Sequence, residues 1–220
     1  RITRWRSVER TGHHVDLEQV AQLMQLEQPH VASLSAPGDP TGSSVPFEHL
    51  RELSSAFPDT RFLIDQRWLS LSDDHADWMQ LPAANMVCLR SLTADHALPG
   101  AGAGYAIGAR ELVREIAGVR HAIAVSTPAA AIVQAAMQAE AFVAESRREL
   151  SADRERLAAS LAALGLTYTP SVAPFLLVRL ARASEVAREL FEEHGIAVGD
   201  ATPCGLPDHL RISAISAEQA

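Results

Sequence analysis

The 220 residues contain no lysine; all 19 basic side chains are arginine. This chain therefore has no ε-amino group with which to form an imine, and Schiff-base chemistry on its own residues is excluded. Cysteine is nearly absent as well. Cys88 and Cys204 are too few and too far apart for a disulfide framework or a metal knuckle, and they read as two reduced thiols. Aromatic residues make up 5% of the chain, and no basic stripe stands out against a net charge of −8. Nucleic acid is accordingly not an expected partner. No charged segment followed by an apolar run opens the chain. The most apolar stretch, residues 121–141, is interrupted by Ser126, Thr127, Pro128, Gln134, Gln138 and Glu140. No membrane span is expected, and the expected location is cytoplasmic. The first residue is Arg1 in place of a Met, which leads us to expect residues upstream of it.

What is present is the balance of a globular protein: 47% apolar and 21% charged residues, with 12 Gly and 12 Pro. The length suits one large domain or two unequal ones. Period-2 apolar runs alternate with helical patterns, which predicts an α/β sheet protein. Strands are expected at residues 2–6, 30–35, 61–65, 86–92 and 105–108. Asp16 should cap a helix carrying Leu17, Val20, Ala21, Leu23 and Met24 at helical spacing. Pro46 suits the first residue of another helix, running to Phe57. From Thr127 to Leu164 the chain is rich in Ala, Glu, Arg and Leu with no Gly, predicting one long helix or two abutting ones, stopped by Gly165. Strands at 174–180, 196–198 and 209–213 and a helix at 184–194 would complete a smaller α/β unit. The expected division is 1–126, a connecting helical segment 127–164, and a small C-terminal domain 165–220.

Three loops carry a resemblance. APGDPTG (36–42), FLIDQRW (62–68) and LRSLTADHALPGAGAGYAIG (89–108) follow one another as signature segments do in the class I/II aminotransferases, and HLRIS (209–213) matches that family's last strand. These are fold-type I pyridoxal-phosphate enzymes, and the nearest flavour resembles histidinol-phosphate aminotransferase and threonine-phosphate decarboxylase. The resemblance implies an aminotransferase-like, mainly parallel sheet, truncated at the N-terminus by roughly a hundred residues, with the small domain hung on the long helix. It implies that Asp65 is the carboxylate facing the cofactor's ring nitrogen, that Thr93 lies in the cofactor loop, and that Arg211 grips a substrate carboxylate, a task suited to a planar fork. It also implies isologous dimerisation, which would cover the edges of a truncated sheet.

The departures from the family pattern are as informative. Ala94 stands where the family has its imine-forming lysine. Gly102 falls at the phosphate-clamping arginine, Trp68 at a ring-oxygen tyrosine, Asp39 at an asparagine, and Pro174 at a further asparagine. No covalently held cofactor is expected; pyridoxal phosphate could at most bind noncovalently. The expected activity is binding of a small carboxylate-bearing, amino-acid- or keto-acid-like substrate. Any catalysis would be acid/base chemistry (isomerisation, cyclisation or elimination) with Asp65, His96 and Asp39 as candidates. Two alternatives stand beside it. One is a non-catalytic partner of a full-length paralogue, in a heterodimer in place of a homodimer; the other is a pyridoxal-phosphate aminotransferase whose lysine has been replaced at Ala94. Asp73, Asp74 and His75, or Asp95 with His96, could suggest a metal, but no ligand spacing supports one, and no metal is expected.

Overall fold

The computed structural model of the chain describes residues 2–5, 12–75, 81–100, 102–121 and 124–216. Two four-stranded sheets organise it. Helix α1 (Leu17–Glu27) begins at Asp16, whose carboxylate accepts the Gln19 N–H at 3.0 Å. It leads into β1 (Val31–Ser35), α2 (Phe47–Ala56) and β2 (Arg61–Asp65). Then come β3 (Met86–Ser91), the one-turn α3 (Leu92–Asp95) and β4 (Gly104–Gly108). Strands β1, β2 and β3 run parallel in that order, and β4 returns antiparallel beside β3. Alternation along β2 buries Phe62 and Ile64 completely, against Met86 of β3 and Leu50 of α2. Val20, Met24, Phe47 and Leu53 close that core from the two helices. Each such side chain contributes roughly 1.5–3 kcal/mol by leaving water.

Helix α4 (Arg110–Val119) follows β4 and has no buried residue; Arg61 of β2 pairs with its Glu115 at 3.0 Å. The expected long helix is two, α5 (Thr127–Ala136) and α6 (Glu140–Ala163), separated by residues 137–139. Gly165, at φ 72°, ends the second. The other sheet holds β5 (Thr167–Thr169), β6 (Phe175–Arg179), β7 (Gly199–Asp200) and β8 (His209–Ser213), entirely antiparallel in the order β5-β6-β8-β7. Helix α7 (Ala183–His194) joins β6 to β7. Leu161 of α6 packs on Leu176 and Val178 of β6.

Several sequence expectations need correction. Residues 2–5 alternate like a strand yet pair with nothing in either sheet, and Arg6 lies outside the described residues. The strand expected at 196–198 lies at Gly199–Asp200, because pairing with Arg211 and Leu210 decides which residues extend, while Ile196 stays half exposed. The loop expected after β3 starts with the α3 turn, capped by Ser91 Oγ accepting the Ala94 N–H at 3.2 Å. Pro46 is the cap of α2, with Phe47 the first helical residue. No helix among the described residues is long and apolar enough to cross a membrane.

Candidate ligand-binding site

The loop after β1 is folded upon itself. Ala36 N–H donates to the Asp65 carbonyl at 2.9 Å, Gly38 N–H to Ser43 at 2.9 Å, and Gly42 N–H to Gly38 at 2.7 Å. The Thr41 and Ser43 hydroxyls bond each other at 2.8 Å. Gly42 has φ +68° and lies against the second half of the chain: a Cβ there would come within 1.9 Å of Ser171 Oγ, and Val172 N–H donates to the Gly42 carbonyl at 2.9 Å. Only glycine satisfies both the backbone angle and the close approach. The loop is thereby held between the two sheets and delivers Asp39 to a fixed place.

Asp39 meets two side chains there, Arg211 and Trp68. Its Oδ1 accepts from Arg211 Nη1 at 2.9 Å and its Oδ2 from Trp68 Nε1 at 3.1 Å. Arg211 lies on β8 with its guanidinium carbon 5.1 Å from the Phe175 ring centre and 5.9 Å from that of Trp68. The two rings meet edge to face at 5.5 Å. Gly199 faces Arg211 across the sheet, where a Cβ would lie 3.3 Å from that of Arg211 and 3.5 Å from its Nε. Its missing side chain leaves room for the arginine stem. The side chains of Arg211 and Asp39 remain 32% and 22% exposed, enough for a solute to reach both. Asp39 also lines a groove of about 1190 Å³ that runs past Met24, Val31 and Leu34.

Asp65, at the C-terminal end of β2, is occupied by its neighbour Arg67. The Arg67 N–H donates to Oδ1 at 3.0 Å, and its guanidinium grips Oδ2, with Nε at 2.9 Å and Nη2 beside it. This hydrogen bond raises the Arg67 pKa above its ordinary value against the opposing effect of burial, and the charges of Asp65 and Asp39 add to the rise. Two ion pairs, Asp65–Arg67 and Asp39–Arg211, thus stand within electrostatic reach of each other.

The remaining candidates lie on or beside α3. Thr93 Oγ1 accepts the Ala103 N–H at 3.2 Å and donates to the Ala103 carbonyl at 3.4 Å, which closes the 93–103 loop. Asp95 is buried, and desolvation raises its pKa; a hydrogen bond from Ser70 and the charges of His96 and Arg90 oppose the rise. His96 stacks on Phe142 of α6 at 6.0 Å, and both its ring nitrogens are buried without a hydrogen-bond partner among the described residues. The site therefore brings together Asp39 and Arg211 with Asp65 close by, whereas Thr93 and His96 are engaged in local packing. Sequence reasoning missed Arg67, although it stands only two residues after Asp65, and the ring of Phe175. Asp73 pairs with Arg154, and Asp74 accepts from Ser44. No three His, Cys, Asp or Glu side chains among the described residues converge as a metal site.

Pyridoxal phosphate, the cofactor implied by the signature loops, demands an amine for the imine, donors for a phosphate dianion and a carboxylate for the ring nitrogen. Ala94 offers a methyl group, and no lysine exists elsewhere in the sequence. The Ser91 and Thr93 hydroxyls are engaged with backbone groups, and both Asp65 oxygens are taken by Arg67. The residues present do not fit an imine-bound pyridoxal phosphate.

Comparison with known proteins gives a consistent set of relatives. The family model for aminotransferase class I and II matches residues 1–220. The chain is 30% identical over 190 residues to histidinol-phosphate aminotransferase 1 of Carboxydothermus hydrogenoformans, covering 86% of this chain and 54% of that protein. It spans about half the length of the curated relatives it matches. Among solved structures it resembles histidinol-phosphate aminotransferase from Sinorhizobium meliloti in complex with pyridoxal-5'-phosphate, with a TM-score of 0.81 at 23% identity over 92% of this chain and 57% of that one. It also resembles L-threonine-O-3-phosphate decarboxylase from Porphyromonas gingivalis, with a TM-score of 0.72 at 24% identity over 86% and 60% of the two chains.

Proposed function

The chain belongs to the class I and II aminotransferase family and has its fold-type I α/β architecture, and from that premise we propose that it binds a small amino-acid- or keto-acid-like carboxylate without an imine-bound cofactor. Arg211 is the observation that carries this reading. A permanently charged planar fork, steadied by Phe175 and Trp68 and still partly open to solvent, is pre-organised for a carboxylate. Any chemistry on the bound solute is acid/base work of the kind that isomerises, cyclises or eliminates in small-molecule biosynthesis. Asp39, in contact with Arg211, is the group nearest such a solute; Asp65 acts on it through Arg67. His96, stacked on Phe142 with both nitrogens buried, is the candidate with the least support. Pyridoxal phosphate, in this reading, is held noncovalently or not at all.

A second reading, a non-catalytic partner of a full-length paralogue, is favoured by one feature. The outer edge of β1 has no strand beside it among the described residues, and the large groove runs along it. Two measurements decide. Incubation with pyridoxal phosphate followed by borohydride and peptide mapping should leave every side chain unmodified; a covalent adduct on a side chain would overturn the cofactor-free reading. An amino acid or a keto acid should raise the thermal midpoint of the wild type and not of Arg211→Ala. Failure of all of them to stabilise the wild type, while a paralogue co-purifies, would transfer the case to the partner reading.

A further inference from the structure

We propose that Asp39 makes this a site for zwitterions: a free α-amino acid binds with its carboxylate on Arg211 and its α-ammonium on Asp39, and the keto acid of the same side chain is disfavoured. The inference rests on the carboxylate reading above and adds a selection that Arg211 alone could not make.

Arg211 Nη1 already donates to Asp39 Oδ1 at 2.9 Å, so the guanidinium is not a bare cation. A lone carboxylate approaching its free edge is attracted by Arg211 and repelled from farther off by Asp39, so that part of the attraction is cancelled. A zwitterion laid beside the pair meets no such cancellation. Its carboxylate lies against Arg211 and its ammonium, one carbon away, against Asp39, so that the four charges alternate in sign and the existing ion pair need not break. The remaining guanidinium N–H groups make no hydrogen bond to described residues and are available for the carboxylate.

The neighbourhood reinforces this selection. Arg67, whose charge also feels Asp39, is paired with Asp65 and adds little to favour an anion over a zwitterion. Asp39 cannot easily swing aside, because the Trp68 indole N–H holds its second oxygen at 3.1 Å. Arg211 is fixed by two rings and by the space left at Gly199. Groups held in place before binding lose little entropy on binding. Where Asp39 lines the groove, Leu34, Val31 and Met24 line it too, which offers an apolar wall to an aliphatic side chain.

Three probes of one carbon skeleton test the proposal by titration calorimetry on the full chain: L-leucine, 4-methyl-2-oxopentanoate and 3-methylbutylamine. Leucine should bind at least about tenfold more tightly than either of the others, a margin equivalent to one well-placed charged contact. In Asp39→Asn the amino acid and keto acid should converge, chiefly because the keto acid gains. Thermal unfolding without ligand reports whether that variant folds, and the wild-type ratio stands as a test without it. Equal binding of leucine and its keto acid to the wild type would overturn the proposal and leave the carboxylate reading intact. Equal binding of leucine and the amine would overturn it by removing Arg211 from recognition. If neither leucine nor the keto acid binds at millimolar concentration, the carboxylate reading fails and takes this inference with it.

Discussion

Asp95 closes a single turn of helix beside Ala94, with its carboxyl buried and hydrogen-bonded to Ser70. Burial disfavours its charge, so the folded protein holds this proton to higher pH than the unfolded chain does. The sign follows from linkage. The contribution of Asp95 to stability is complete below the ordinary carboxylate range and is lost as pH rises through the elevated value. Asp95→Asn keeps an oxygen for Ser70 and removes the titration. Urea unfolding from about pH 4 to about pH 8 should therefore show a smaller decline attributable to this position in the variant than in the wild type. An unchanged slope would mean that Asp95 ionises in the fold as freely as in the unfolded chain. At the same scale, the sequence showed Asp39 and Arg211 as separate candidates through family resemblance, and their contact was not legible. They stand 172 positions apart, and only the packing of the 36–45 loop against residues 171–172 brings them together. The Asp65–Arg67 pair, by contrast, was available locally and was overlooked.

Among the elements, those whose apolar pattern coincides with burial were readable. The Asp16-capped α1 and β2, with Phe62 and Ile64 inward, are of this kind. Helix α4 was not, because it has no side-chain cap and buries nothing, and its start follows a strand end rich in Gly and Ala. Strand β7 was misplaced because the I-A-V run looks more strand-like than Gly-Asp, yet Gly199 is the residue that fits against Arg211. Helix α6 poses a different problem, since nine of its 24 residues are charged and only Asp153, Arg154 and Leu161 are buried. Polar anchors do what apolar burial does elsewhere. Arg154 donates to the Ala173 carbonyl at 3.3 Å and pairs with Asp73, and Arg147 donates to the Ser70 carbonyl at 2.9 Å. Arg154→Ala leaves a buried carbonyl and a half-exposed carboxylate without that partner, and should cost about 2–4 kcal/mol in urea unfolding. Arg154→Lys should recover only part of this, because an ammonium cannot span both acceptors as the guanidinium does. A loss within experimental error for Arg154→Ala would mean that α6 is held by its apolar contacts alone.

For the whole molecule, we propose a division at 1–126, 127–164 and 165–220, with the helical segment between. That segment carries exposed apolar side chains. Helix α5 has no charged residue, yet Ile132 is 40% exposed, Met137 just after it 63%, and Phe142 at the start of α6, though stacked on His96, 50%. Apolar exposure of this sort is costly in water and makes the segment a candidate contact surface. A two-fold contact of this helix with its copy is the simplest way to cover it, since one patch then serves both sides. We therefore expect a homodimer through residues 127–142, with the groove along β1 left free for ligand or for a further partner. Sedimentation velocity at micromolar concentration should give twice the chain mass for the wild type and the chain mass for a variant carrying both Ile132→Glu and Met137→Glu. Both positions face solvent in the single chain, so the thermal midpoint of the variant should fall only by the stability that association itself contributes. A wild type that sediments as a single chain would remove the dimer, and a charged variant that remains dimeric would move the contact to the open β1 edge. Ligand titration into the monomeric variant then separates assembly from recognition. Arg211, Asp39 and Trp68 all come from one chain, so leucine should bind the monomer as tightly as the dimer.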